Sequence, residues 1–183
     1  MPTYNLIAIS GSLRKGSYNT MLLHAFKEHA PEGVKVEYLS IDHFPVFNQD
    51  MEENYPADIT ALKDKIKAAD GVIISTPEYN RTVPGPLKNA VDWLSRPYGD
   101  SAWNKKPVFI ASASGGAIGG ALAAMHLRQA FVFLNAYVPG QPEFYLGGAN
   151  TKFDEYGKLT DEETAKHIDQ AFTAFTAYID KFK

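Results

Sequence analysis

Three short segments of this chain carry residue types suited to holding a ligand. The first reads Ser10-Gly-Ser-Leu-Arg-Lys-Gly-Ser-Tyr-Asn19. It is dense in hydroxyls and small residues, carries one early arginine, and runs into a predicted helix. Free backbone N–H groups and the dipole at a helix start favour an anion. Ser12, Ser17 and Asn19 can add donors, and Arg14 can give a charge-assisted bond to a phosphate oxygen. The same residues also fit a helix entry capped by Ser17 or Asn19, with Arg14 in solvent. A P-loop would need a Lys-Ser/Thr pair after a suitable glycine, and none is present. A dinucleotide fingerprint fails because Leu13 stands at its second glycine position. A mononucleotide phosphate, held by neutral donors and one arginine, fits better. Without the fingerprint, Asp42 reads as a loop or helix-cap residue, not as a ribose-binding acid.

The second segment, Thr76-Pro-Glu-Tyr-Asn-Arg-Thr-Val-Pro-Gly-Pro86, has three prolines in eleven residues. Each fixes its own φ and restricts its predecessor, so the loop is stiff. It can read the edge of a heteroaromatic ring, with Tyr79 and Asn80 adding a face and an amide. It equally fits a rigid turn before a helix. The third segment, Ser112-Ala-Ser-Gly-Gly-Ala-Ile-Gly-Gly120, has four glycines that permit close backbone approach to a ligand. Ser114 lacks the G-x-S-x-G elbow of a hydrolase nucleophile, since Ser112 stands where a glycine is needed.

The histidines, at 24, 29, 43, 126 and 167, show no metal-ligand spacing. His24 and His126 are expected on helices, partly buried or at an interface, and His43 follows a strand within reach of the site. Cysteine is absent, which excludes disulfides, thiolate nucleophiles, cysteine zinc sites and iron–sulfur clusters. A reducing, cytoplasmic setting is expected. A net charge of −3 without a long run of Lys or Arg argues against nucleic acid. No apolar run approaches the ~20 residues of a membrane span. The start, MPTYNLIAIS, is unlike a signal peptide.

Positioning the three segments requires strands ahead of them and helices behind. Tyr4–Ser10, Val34–Ile41, Gly71–Ser75 and Pro107–Ser112 read as strands, and Ala136–Pro139 as the start of a fifth. Asn19–Ala30, Ala57–Ala69, Leu87–Leu94, Ile118–Leu134 and Thr160–Phe182 read as helices, the last with a Thr160/Glu163 capping box. Alternating strands and helices imply an α/β fold with a parallel sheet covered on both faces, here one domain over residues 1–183. Ligands of such sheets sit outside the carboxyl ends of the strands, where the three loops emerge. Trp93, Trp103 and the apolar Ile118–Leu134 helix are expected to form a self-association face, and Arg81 and Tyr98 are expected at the rim of the ligand site, where a nucleotide phosphate or an acceptor would lie.

The motifs GSLRKGSYN (11–19), PEYNRTVPGPLKNAVDWLSR (77–96) and SASGGAIGG (112–120), one after each expected strand, resemble the NADPH-dependent FMN reductase family, in its quinone and chromate reductase branch. The resemblance implies a flavodoxin-like three-layer sandwich with five parallel strands in the order 2-1-3-4-5. It implies non-covalent FMN, NADPH or NADH as co-substrate, and a small acceptor such as a quinone, chromate, an azo compound or free flavin, reduced in ping-pong fashion. It also implies a homodimer or homotetramer. By this similarity Ser10, Ser12, Arg14, Ser17 and Asn19 surround the phosphate. Pro77, Glu78, Tyr79 and Asn80 line the isoalloxazine, and Ser114, Gly115 and Gly116 face it from the third loop. No side chain then serves as acid, base or nucleophile, because the chemistry lies on the cofactor. Residues 87–96 resemble a dimer helix, and Arg128 and Glu143 resemble polar residues of a tetramer contact. The competing reading is a flavodoxin-type electron carrier, which is commonly far more acidic and lacks the PEYN…LKNAVDW segment.

Overall fold

A computed structural model of the chain describes residues 3–183. Five parallel strands, β1 (Tyr4–Ser10), β2 (Val34–Leu39), β3 (Gly71–Thr76), β4 (Val108–Ala113) and β5 (Phe144–Leu146), lie in the order β2-β1-β3-β4-β5. Between and after them run α1 (Tyr18–Glu28), α2 (Ala57–Ala68), α3 (Gly85–Leu94), α4 (Ala121–Phe133) and α5 (Glu162–Ile179). This is the flavodoxin-like arrangement that the sequence implied.

Strand alternation builds two cores. Ile7 and Ile9 of β1 join Ile59, Ile66, Leu87, Val91, Leu127 and Phe131 of α2, α3 and α4. Leu6 and Ala8, pointing the other way, join Leu22, Phe26, Phe172 and Phe175 of α1 and α5. Every residue of β3 and β4 is buried, as strands covered on both faces require. The Phe26 ring packs on Phe109, Phe144 and Phe172 at centroid distances of 6.1, 5.3 and 5.5 Å.

Four expectations are corrected. The fifth strand is Phe144–Leu146, not Ala136–Pro139. Tyr137 makes one bridge to Pro107, at the start of β4, but Pro139 has no N–H to continue the ladder. The chain leaves the sheet there and returns to pair Phe144 with Ala111. Helix α4 starts at Ala121, not Ile118, because Gly119 and Gly120 adopt φ of 66° and 85°. The cap of α5 is Asp161, whose carboxylate accepts from the Thr164 N–H at 2.9 Å, one residue beyond the expected capping box. The tryptophans form no association face. Trp93 and Trp103 are 0 and 1% exposed, with indole N–H groups donating to Pro45 O and Val91 O.

Candidate active site

The three loops meet. In register Ser10 pairs with Ser75, and Thr76 with Ser112, so β1, β3 and β4 end at one rim. The Gly11 N–H donates to Ser75 O at 2.8 Å. A Cβ at Gly11 would stand 2.8 Å from Leu87 Cδ2 and 3.2 Å from Pro77 Cδ, so only glycine lets the first two loops touch.

Asn19 ties all three. Its Nδ2 donates to Ala113 O at 3.0 Å, and its Oδ1 accepts from Ala113 N at 3.0 Å and from Ser75 Oγ at 2.8 Å. The side chain that looked like a phosphate donor is spent inside the protein, 3% exposed. Ser17 is the N-cap of α1, accepting from Asn19 N, and Ser10 Oγ bonds Thr20 Oγ1 at 2.9 Å. Ser12 Oγ accepts from Arg14 N at 3.3 Å. What the loop offers an anion is therefore mainly backbone. Among the described residues the N–H groups of Leu13, Lys15 and Gly16 have no acceptor, and Gly16, at φ 66°, turns the chain before the helix start. Arg14, exposed, lies over the Tyr18 ring at 5.5 Å.

The second loop is a two-residue hairpin. Tyr79 and Thr82 exchange N–H···O bonds of 3.1 Å across Asn80 and Arg81, whose φ values of 50° and 65° are left-handed. Glu78 does not face outward to a ligand. Its Oε2 accepts from Leu122 N and Ala123 N at 3.1 and 3.4 Å, and its Oε1 from Arg81 Nη1 at 2.9 Å. Gly120, the N-cap residue of α4, has no side-chain cap, so a carboxylate from the neighbouring loop satisfies the open N–H groups there. Thr82 Oγ1 also bonds His126 Nδ1 at 2.9 Å, giving that exposed helix residue a tie to the hairpin. Tyr79, 45% exposed, presents its ring, since its backbone is engaged.

Ser114 Oγ accepts from Gly116 N at 3.2 Å, and Gly115 and Gly116 are exposed. Ser112 Oγ, just below, is buried without a partner among the described residues. The free loop amides, the open glycines and the exposed tyrosine ring fit a phosphorylated flat ring. They sit at the β1/β3 rim, where the strand order reverses. His43 leaves this site, pairing with Asp42 and with Asp58 of α2 at 3.3 and 3.4 Å. Asp42 is held below the usual carboxylate range by its bond with Ser40 and then by His43. Tyr98 follows α3 and so stands at the opposite, amino end of the sheet, near Phe133; it is no rim residue of the same chain. Two contributors escaped sequence reasoning: Thr20, and the hairpin around Gly157 that reaches over α1. Neither carries a local motif, because both act through distant partners.

A model for NADPH-dependent FMN reductases matches residues 4–151. A quinone reductase of Escherichia coli (strain K12) is 44% identical over 182 residues, 97% of this chain and 96% of that protein. A 2-hydroxy-1,4-benzoquinone reductase of a Burkholderia species is 38% identical over 174 residues, 95% of each. Among solved structures, the flavoenzyme NAD(P)H:(acceptor) oxidoreductase FerB of Paracoccus denitrificans superposes with a TM-score of 0.90 at 35% identity, covering 98% of both chains.

Proposed function

This chain belongs to the NADPH-dependent FMN reductase family, and from that premise we propose that its one domain, residues 1–183, is a quinone reductase whose FMN rests on the rim just described. The chain is an FMN-dependent NAD(P)H oxidoreductase with quinones or similar small acceptors as substrates. The observation that carries the placement of FMN is the meeting of the three loops through Asn19 and Glu78. Bound FMN supplies hydride chemistry, taken from NAD(P)H and passed to the acceptor in alternate half-reactions.

The protein's share is binding and order. The Leu13, Lys15 and Gly16 amides, Ser12, Ser17 and Arg14 hold the phosphate, and the α1 dipole adds to them. The Asn80–Arg81 turn, Pro77 and Tyr79 hold one edge and face of the ring, with Ser10 and Asn19 beneath. From the third loop the Gly115 N–H, without an acceptor among the described residues, is the free backbone donor toward the ring and would favour negative charge there, since Ser114 N and Gly116 N already donate to Leu146 O and Ser114 Oγ. The left-handed turn needs an anchor, and Glu78 supplies it by joining the loop to α4.

The working form is a homodimer or homotetramer in the cytoplasm. Helix α4 and the turn before it expose Ile118, Leu122, Met125, Val132 and Phe133. Their helical spacing makes a stripe that a second copy would cover. Arg128 of α4 donates from Nη1 to Pro139 O at 2.6 Å, and with Glu143 it is the proposed polar part of a contact between dimers. No helix among the described residues is long and apolar enough to cross a membrane.

The test is a visible spectrum of the purified protein followed by rates with NADPH, NADH and a quinone. A yellow protein that oxidises NAD(P)H alone in stopped flow supports the reading. A colourless one that takes up no FMN ends it, and a yellow one that needs a partner reductase makes it a carrier. Light scattering should give at least a dimer, and Met125→Glu with Val132→Glu should return the monomer mass.

A further inference from the structure

The turn that follows β2 is pinned to α3 from within. Pro45 O accepts from Asn89 Nδ2 and from Trp93 Nε1, each at 2.8 Å, and Phe47 N donates to Asn89 Oδ1 at 2.7 Å. The Phe47 ring stands edge-on to Trp93 at 5.1 Å. These anchors use the polar backbone of the turn on its inner side. Its apolar side chains are thereby held at the surface: Val46 is 85% exposed, and Phe44 and Phe47 are half-buried. Between this turn and the start of α3 lies a groove of about 560 Å³. Ile41, Phe44, Val46 and Phe47 line it from one segment, Gly85 and Pro86 from another, and Leu13 from the first loop.

The groove adjoins the rim on which FMN is placed. Leu13 directly follows Ser12, and Gly85 and Pro86 end the segment that begins with Pro77 and Tyr79. The tight fit of Gly11 against Leu87 and Pro77 shows that the first loop and the start of α3 are in contact. Leu13 is shared between the two places, but its part in the FMN site is its N–H, while its side chain is apolar and 47% exposed. The apolar stripe offered to a second copy belongs to α4, whereas this groove is built on α3 and the turn after β2.

The charges at its edge are spent on one another. Lys88 Nζ donates to both oxygens of Asp92 at 2.7 and 2.8 Å, and Asp42 pairs with His43 at 3.3 Å. Asn89 is engaged by the turn through both ends of its amide. What the groove offers a ligand is therefore apolar surface without a free charge, which selects against nucleotides and charged peptides. Apolar side chains held outward in one concave patch mark a binding surface, and the volume is that of a small-molecule site. The established substrates of the chain include molecules of the matching kind, since a quinone is neutral and its substituents are hydrocarbon.

We propose that this groove receives the hydrocarbon substituent of the acceptor, so that the enzyme prefers quinones carrying an alkyl chain over bare ones. The proposal rests on the placement of FMN given above: the quinone ring is reduced at the flavin, and the chain lies over Val46 and Phe44. The chain takes no part in the chemistry, so its burial strengthens binding of the acceptor in ground state and transition state alike.

The experiment compares 2-methyl-, 2-propyl- and 2-pentyl-1,4-benzoquinone as acceptors at saturating NADPH, for the unmodified chain, Val46→Asp and Val46→Leu. In the unmodified chain kcat/KM should rise about threefold per added CH2, through KM and with kcat steady, somewhat less than full burial of each would give. Val46→Asp should lower kcat/KM for the pentyl quinone about tenfold and leave the methyl quinone unchanged, and Val46→Leu should keep the rise. No dependence on chain length in the unmodified chain, or an equal loss for all three quinones in Val46→Asp, overturns the proposal. So does a lower mass of Val46→Asp in light scattering, which would assign the groove to a second copy. A protein that reduces no quinone fails the functional reading instead. The groove is then read by a redox-inert probe, 2-pentyl-1,4-dimethoxybenzene, through the fluorescence of Trp93 beneath Phe47. Binding of that probe that Val46→Asp weakens about tenfold supports the groove, and no binding overturns it.

Discussion

The closed side of the molecule, at the rim where the three loops meet, and the open side, at the 153–159 hairpin, are built on opposite lines. On the β3/β4 side, polar side chains are turned inward and cross-tied: Asn19 to Ser75 and Ala113, Glu78 to α4 and Arg81. On the open side, the hairpin is braced mainly by its own Asp154 carboxylate and rests on α1 through Gly157 on Met21 and Phe153 on Tyr18. The first side suits a cofactor that stays. Where stability and binding are joined, one substitution should damage both; where they are separate, the segment should loosen alone.

The sharpest break is Asn19→Leu. It removes three buried hydrogen bonds and leaves Ala113 N, Ala113 O and Ser75 Oγ unpaired. Unsatisfied buried groups cost ~1–3 kcal/mol each, so a loss of about 4 kcal/mol in urea unfolding is expected, together with loss of FMN. Near-normal stability would show that the rim does not depend on this pin.

Glu78→Ala comes next. Removal of a helix cap costs about 1 kcal/mol. The freed left-handed turn should weaken FMN about tenfold, read by the quenching of flavin fluorescence. Glu78→Gln keeps an amide oxygen for the α4 N–H groups and should recover most of that loss. If alanine and glutamine bind FMN alike, the carboxylate does not anchor the loop.

Much of the closed side was legible in the residues. GSLRKGSYN, PEYN and SASGGAIGG each follow a short apolar strand, and strand order brings their ends to one rim. What those side chains do there was not legible. Asn19 reads as a donor to phosphate, because the Ala113 backbone, 94 positions away, is invisible in local sequence. Glu78 reads as a ring contact for the same reason. The tryptophans read as surface because the carbonyls that satisfy their N–H groups come from other segments. The open side was nearly illegible: the 153–159 hairpin has ordinary turn residues and acquires meaning only by lying on Met21.

A milder break tests the self-bracing of that hairpin. Asp154→Ala removes two bonds to exposed amides, worth about 1 kcal/mol locally. Proteolytic nicking within residues 153–159 should quicken about threefold, while FMN content and global unfolding stay put. A parallel loss of FMN would join the hairpin to the rim and dissolve the contrast.

The smallest effect lies where the hairpin meets the body. Asp161 caps α5 and pairs with Lys152 at 2.8 Å, while Thr160 N donates to Lys152 O at 3.0 Å, closing the hairpin's base. The Lys152 bond, and then those from Thr164, pull the Asp161 carboxyl down to about 2. An unfolded aspartate titrates near ~3.9. Because the folded value is the lower one, the ionised carboxylate stabilises the fold fully above about pH 4, and its contribution fades as pH falls toward 2. Solvent screening of such a pair limits the amount to ~1 kcal/mol or less. Urea unfolding of the parent and of Asp161→Asn should therefore differ most at pH 5 to 7 and converge on acidification to pH 3 and below. A gap that stays constant over that range would mean that the cap works through geometry alone, and that charge has no part in holding the hairpin to the closed side.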